Sequence, residues 1–128
     1  MILVGTFFGA IRVPEAIVHA AVESTDAEEI DFVLSDRLDG PVIHDGRGRN
    51  YYMLINPEAR LDWGTSAPGV EFLPPGTYLG VPAVNLFHYT PQTPVYWTVP
   101  GVTPGHCDSA AVALLIRVGA ARLAEAVA

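Results

Sequence analysis

Between Gly40 and Pro100, short apolar runs rich in aromatic residues alternate with breaks that contain Pro and Gly, and few charges interrupt them. Such runs are too short for helices, and their β-branched and aromatic content suits a pleated, half-buried surface. The stretch therefore specifies a small sheet with tightly made turns. Val42-Ile43 and Tyr51 to Ile55 flank a polar turn, His44 to Asn50, that contains Asp45-Gly46, and these read as a β-hairpin. After a loop around Trp63 and Pro68-Gly69, Val70 to Leu73 and Thr77 to Val81 flank Pro74-Pro75-Gly76, which predicts a second hairpin. Val95 to Val99 is a last strand.

Helical spacing appears on either side of this stretch. Met1 to Val13 is apolar and reads as a strand: it has no basic residues ahead of its apolar run and falls short of the roughly 20 apolar residues that span a bilayer. Pro14 at a first helical position, followed by Glu15, opens a helix with Ile17, Ala20 and Ala21 on one face. Asp26-Ala27-Glu28-Glu29 resembles a capping box, and Ile30, Val33, Leu34 and Leu38 recur at helical spacing until Asp39-Gly40-Pro41 stops the helix. Asp108 caps a C-terminal helix that turns Val112, Leu115 and Ile116 inward and is interrupted near Gly119. The expectation is one α+β domain over residues 1–128, with a mostly antiparallel sheet of about five to six strands, two N-terminal helices and a C-terminal helix.

The 128 residues suffice for one domain with a real core. Half of them are hydrophobic and 16% are charged, which excludes disorder and favours a buried interior or an apolar interface, so homo-oligomerisation is expected. The net charge of −7, with no basic cluster larger than Arg47 and Arg49, disfavours nucleic acid as a partner. One cysteine, Cys107, leaves no internal disulfide and fits a cytoplasmic protein. No metal or cofactor is expected. The acidic run Glu23, Asp26, Glu28, Glu29 and Asp31 lacks the spacing and turn glycine of a calcium loop and reads as a solvated helix start.

Candidate chemistry is sparse. His106-Cys107-Asp108 could supply a thiolate near a helix N-terminus, but catalytic Cys and His pairs meet from distant segments; the plainer reading is a capping Asp108 behind a small buried cysteine. Arg47, Gly48 and Arg49 could cradle an anion through backbone N–H groups, although a polar hairpin turn needs Gly, Asp and Asn for backbone reasons alone. His19 lies by an apolar helix face. His88 sits beside Phe87 and Tyr89 in a loop, and together with Trp63 and Trp97 these form an aromatic set of the kind that anchors protein interfaces. Alternation along the last strand places one of Tyr96 and Trp97 inward, where it is core.

The order Gly46-Arg47-Gly48-Arg49-Asn50-Tyr51-Tyr52, then Pro68-Gly69-Val70-Glu71-Phe72, Gly76-Thr77-Tyr78-Leu79-Gly80-Val81-Pro82 and Tyr96-Trp97, resembles the C-terminal half of bifunctional primase-polymerase domains. In that family a Gly-rich turn leads to an aromatic strand, and a later Gly-Tyr strand ends in Pro. The chain is also similar to small proteins of actinobacteria with GC-rich genomes. The family places a metal-binding Asp-x-Asp pair before this region and a His just ahead of the aromatic strand. Here Asn50 precedes Tyr51, and Asp31-Phe32 is not followed by Asp. Two-metal phosphoryl transfer needs paired carboxylates, so the resemblance implies a relative without polymerase activity.

Two functional readings follow. One is a non-catalytic binding or regulatory module that contacts a protein partner or itself through an aromatic, Pro-rich face of Trp63, Phe87, His88, Tyr89 and Trp97. The other is a small enzyme or ligand-binding domain with an apolar pocket lined by Tyr51, Tyr78 and Tyr96, in which His44, His88 or His106 is the general base and Asp45 or Asp108 orients it.

Overall fold

The computed structural model describes residues 2–4, 8–57, 67–74, 76–80, 82, 95–99 and 105–127. Its elements run β1 (Ile2–Leu3), β2 (Gly9–Pro14), α1 (Glu15–Val22), α2 (Ala27–Leu38), β3 (Val42–Asp45), β4 (Asn50–Ile55), β5 (Glu71–Phe72), β6 (Tyr78–Leu79), β7 (Val95–Val99) and α3 (Ser109–Val127). The fold class is α+β. Five strands form an antiparallel sheet in the order β5-β2-β4-β3-β7, and β1 pairs with β6 in a separate two-stranded ribbon.

The hairpin expected around His44 to Asn50 is present as β3 and β4, with His44 opposite Tyr51 and Asp45 opposite Asn50. The second expected hairpin does not form. Its first half pairs with β2, setting Phe72 opposite Ile11, and its second half pairs with β1, setting Leu79 opposite Ile2. Backbone chemistry accounts for the difference. Pro74 and Pro75 carry no N–H to donate to a ladder. The donors on either side go to the N-terminal segment, Leu73 N to Ala10 O at 3.0 Å and Gly76 N to Val4 O at 2.9 Å. The N-terminal segment is accordingly two strands, not the one expected.

Because side chains alternate along a strand, the five-stranded sheet can bury both faces. One face carries Ile11, Val13, Val42, Tyr51, Met53 and Ile55 against the helices, which contribute Ile17, Val18, Ile30, Leu34, Leu38, Val112 and Ile116. The opposite face packs Ala10, Ile43, Leu54 and Trp97 against Val4 and Leu79 of the ribbon segments and Phe8. Covering on both sides explains why Tyr96 and Trp97 are both buried, at 2% and 9% exposure.

The helix ends follow local chemistry with three adjustments. Pro14 is the N-cap of α1 and not its expected first helical residue, which is Glu15, so β2 passes into α1 without a loop. The α2 N-cap is Asp26, whose side chain accepts from Glu29 N at 3.1 Å. The left-handed residue that ends α2 is Asp39, with φ 54°, while Gly40 lets two segments meet: a Cβ there would lie 2.2 Å from Cys107 N. Finally, α3 continues through Gly119 to Val127, where an interruption was expected. Gly119 is buried where α3 crosses α1, and a Cβ at that position would lie 2.1 Å from Ile17 O. Its missing side chain therefore allows two helices to touch.

Candidate functional site

The last row of the sheet's helix-covered face runs Val13, Tyr51, His44, Tyr96 across β2, β4, β3 and β7 in cross-strand register. Directly paired residues on one face stand close enough to interact. The His44 and Tyr51 rings stack, with centroids 4.2 Å apart and planes 6° from parallel. Tyr96 meets His44 edge-on at 5.2 Å and places its hydroxyl 2.8 Å from His44 Nδ1. Since β2 leads straight into α1, the first helical residue, Glu15, stands beside this row, and its N–H donates to Arg49 O of the β3–β4 turn at 2.9 Å. The Glu15 carboxylate bonds His44 Nε2. One turn on, His19 lies edge-on to Tyr51, with its Nε2 3.4 Å from the Tyr51 hydroxyl.

Burial sets the protonation of the phenols. Tyr96 is pushed up to about 12, first by burial and then by the Asp31 charge. Tyr51 is raised further, by burial and then by Tyr96, Glu15 and Asp31. Both phenols stay protonated at neutral pH. Against a neutral imidazole, Tyr96 donates to Nδ1, which leaves the Nε2–H to donate to Glu15. The result is a directional chain from Tyr96 through His44 to Glu15. Its open end is the carboxylate: the Glu15 side chain is 21% exposed and that of His44 is 12% exposed. An incoming donor therefore meets Glu15 first, with His44 behind it.

His19 responds to acid in a defined direction. Burial lowers its pKa below 6.5, partly offset by Glu15, with His44 lowering it further. The unfolded chain takes up a proton on His19 as pH drops below 6.5 while the folded chain does not, so stability is lost on acidification until the lowered folded value is passed. The midpoint of thermal unfolding is expected to fall between about pH 7.5 and about pH 5, less steeply in His19→Gln. Equal slopes in the two proteins would contradict this assignment.

Of the residues singled out in the sequence, His44, Tyr51 and Tyr96 come together, with both tyrosines buried. Tyr78 does not join them; it is 65% exposed on β6. The carboxylate partner of His44 is Glu15, not Asp45 or Asp108. Asp45 turns back into its own loop, where Oδ1 accepts from Gly48 N at 3.0 Å, and Asp108 caps α3 by accepting from Ala110 N at 3.0 Å. The same Asp45 bond alters the anion reading of Arg47, Gly48 and Arg49, since the turn supplies its own carboxylate to the N–H that would meet an anion. Cys107 is 4% exposed, donates to Pro41 O at 3.3 Å and has its thiol pushed up to about 12 by burial. It stays a thiol at neutral pH, which corrects its reading as a nucleophile. His106 lies beside it, partly buried.

Trp97 belongs to the core on the opposite face of the sheet, with Nε1 donating to Pro82 O at 3.2 Å, which corrects its place on an exposed aromatic face. Trp63, Phe87, His88 and Tyr89 lie outside the described residues. The acidic residues near α2 have protein partners: Asp26 caps the helix, Glu29 accepts from Ser24 Oγ at 2.9 Å, and Glu23 pairs with Arg122 at 2.8 Å. No helix among the described residues is long and apolar enough to cross a membrane. Glu15 was missed as a site residue because its position after Pro14 already suited the helix dipole. The usable signal was the absence of any loop between an apolar strand and that helix, which puts a first-turn carboxylate at the end of the sheet.

Comparison of the chain with protein-family models, with curated proteins and with solved structures gave no match.

Proposed function

We propose that this chain is a small-molecule-binding domain whose site is the Glu15–His44–Tyr96 chain at the end of the sheet, with Glu15 as the ligand-facing acceptor and His44 as the proton-handling group behind it. The supporting observation is the geometry of His44, held by a carboxylate on one nitrogen, a phenol on the other and a stacked Tyr51 ring beneath. Holding an imidazole on three sides fixes its tautomer and orientation, as acid–base work requires. Glu15 and the nearby Asp31 make the site negative, which favours a ligand rich in hydroxyl or amine donors.

The alternative of a protein-contact module, with a partner or a second copy on an aromatic face, has less support among the described residues because Trp97 is core. The resemblance to primase-polymerase domains supplies one further probe, a nucleoside triphosphate with manganese.

Thermal unfolding of the full chain, of Glu15→Gln and of Tyr96→Phe with millimolar polyols, amines, nucleosides and the manganese–nucleotide pair tests the proposal. A ligand at about a hundred times its dissociation constant adds roughly 2.7 kcal/mol, a shift of several degrees. The expected result is stabilisation of the parent by a donor-rich compound and its loss in Glu15→Gln. Stabilisation only by the nucleotide, equal stabilisation of parent and variants, or none at all would overturn it.

A further inference from the structure

A recess lies between the three helices, on the C-terminal half of α1 and away from Glu15. Its volume of about 380 Å³ is that of a small-ligand pocket. Val22 of α1, Val33 of α2 and Leu115 and Val118 of α3 line it with apolar surface. Leu114 sits at its edge, 54% exposed, so part of the apolar surface is left to water.

Its polar lining is cationic in an acidic protein. The chain has a net charge of −7 and only 7 basic residues, yet two of them, Arg37 and Arg122, line this recess beside a single carboxylate, Glu23. Arg122 neutralises Glu23 at 2.8 Å and also donates from Nη1 to Ala20 O and Ala21 O, at 3.2 and 2.6 Å, closing the end of α1. Arg37 reaches Asp36 at 3.8 Å from a side chain that is 72% exposed. An apolar cleft whose mouth carries an exposed arginine, held only by a long contact to Asp36, matches an amphipathic anion able to replace that contact. The net charge of −7 on each chain disfavours a second copy as the occupant.

We propose that the recess binds a medium-chain fatty acid anion, the acyl chain lying on Val22, Val33 and Val118 and the carboxylate meeting Arg37. The proposal is independent of the His44 site. Calorimetric titration of the full chain with octanoate and decanoate below their micelle concentrations, and with decanol below its solubility limit, tests it, with backbone amide NMR to place the ligand. Decanoate is expected to bind one to one and about fifteenfold more tightly than octanoate, since each methylene is worth about fourfold. Arg37→Glu should weaken decanoate at least tenfold and leave decanol binding unchanged, while lowering the unfolding midpoint by only a few degrees, since it reverses a charge in the last turn of α2 beside Asp36. Arg37→Lys should retain most of the affinity. Absent binding, equal affinity for decanoate in Arg37→Glu and the parent, amide changes away from residues 21–23, 33–37 and 111–122, or dimerisation that Leu114→Gln abolishes would each overturn it.

Discussion

Replacing Gly119 with alanine will lower the midpoint of thermal unfolding by roughly 10 °C or more. On an exposed helix the same change would stabilise, since alanine is the better helix former by about 1 kcal/mol. Here the new methyl would lie 2.1 Å from Ile17 O and 2.8 Å from Ile17 Cγ2. A carbonyl oxygen in the middle of α1 cannot swing aside as a flexible side chain can, so α1 and α3 must separate. That separation loosens Ile17, Val18, Val112 and Ile116 together, all of them fully buried or nearly so. Overpacking of this kind falls at or above the upper end of the usual range, about 3 kcal/mol, and a domain of this size loses about 4 °C per kcal/mol. Gly80→Ala is the control, because a Cβ at Gly80 meets no atom within 4 Å among the described residues. It should change the midpoint by no more than about 2 °C. A Gly119→Ala protein as stable as its parent would show that the two helices do not cross at this residue.

Alkaline pH will unfold the chain well before tyrosine ionisation alone would suggest. Burial pushes Cys107 up from 9.0 to about 12 and Tyr96 up from 10.0 to about 12, and raises Tyr51 as well. In each case the folded chain keeps a proton that the unfolded chain releases. Their stabilising contributions are therefore complete below the unfolded values and are lost as pH rises toward the folded ones. At pH 11, two pH units above the unfolded value of the thiol and one above that of the phenol, Cys107 and Tyr51 together cost on the order of 4 kcal/mol. That is a large part of the stability of an ordinary domain. Urea unfolding at increasing pH, read together with tyrosinate absorbance, should show a steep fall above about pH 9. Of the five tyrosines in the chain, Tyr51 and Tyr96 should ionise only as it unfolds. Cys107→Ala should flatten the lower part of the decline. A stability unchanged up to pH 11, or five tyrosines titrating in the folded state, would contradict the burial of this row.

The elements were legible where local chemistry decides them. Asp26 and Asp108 cap their helices because a side-chain carboxylate can meet early N–H groups from either position, and the β3–β4 hairpin follows from a polar turn between two apolar runs. What the residue pattern did not carry was long-range pairing. Val70 to Leu73 and Thr77 to Val81 have the composition of a hairpin, and only the competition of Val4 and Ala10 for their backbone groups sends them to different partners. Gly119 shows the same limit. Glycine in a helical run reads locally as a weak point, and its role here depends on a helix a hundred residues away.

The candidate site was half legible for a related reason. His44, Tyr51 and Tyr96 are polar-tipped residues within apolar strands, which marks them as candidates without saying which of them meet. Register then decides which of them meet, and it aligned these three in one row while leaving Tyr78 on the far side of the sheet. Glu15 comes from a different element, and its part in the site depends on the uninterrupted passage from β2 into α1.

The most direct measurement is long-range proton–nitrogen NMR of the His44 side chain at a pH where the ring is neutral, in the parent and in Tyr96→Phe. The account predicts an unprotonated Nδ1 and a protonated Nε2 whose hydrogen is protected from exchange by Glu15 in the parent, with the tautomer preference weakened once the phenol is removed. A parent His44 with its proton on Nδ1, or one averaging between tautomers as a free imidazole does, would contradict it.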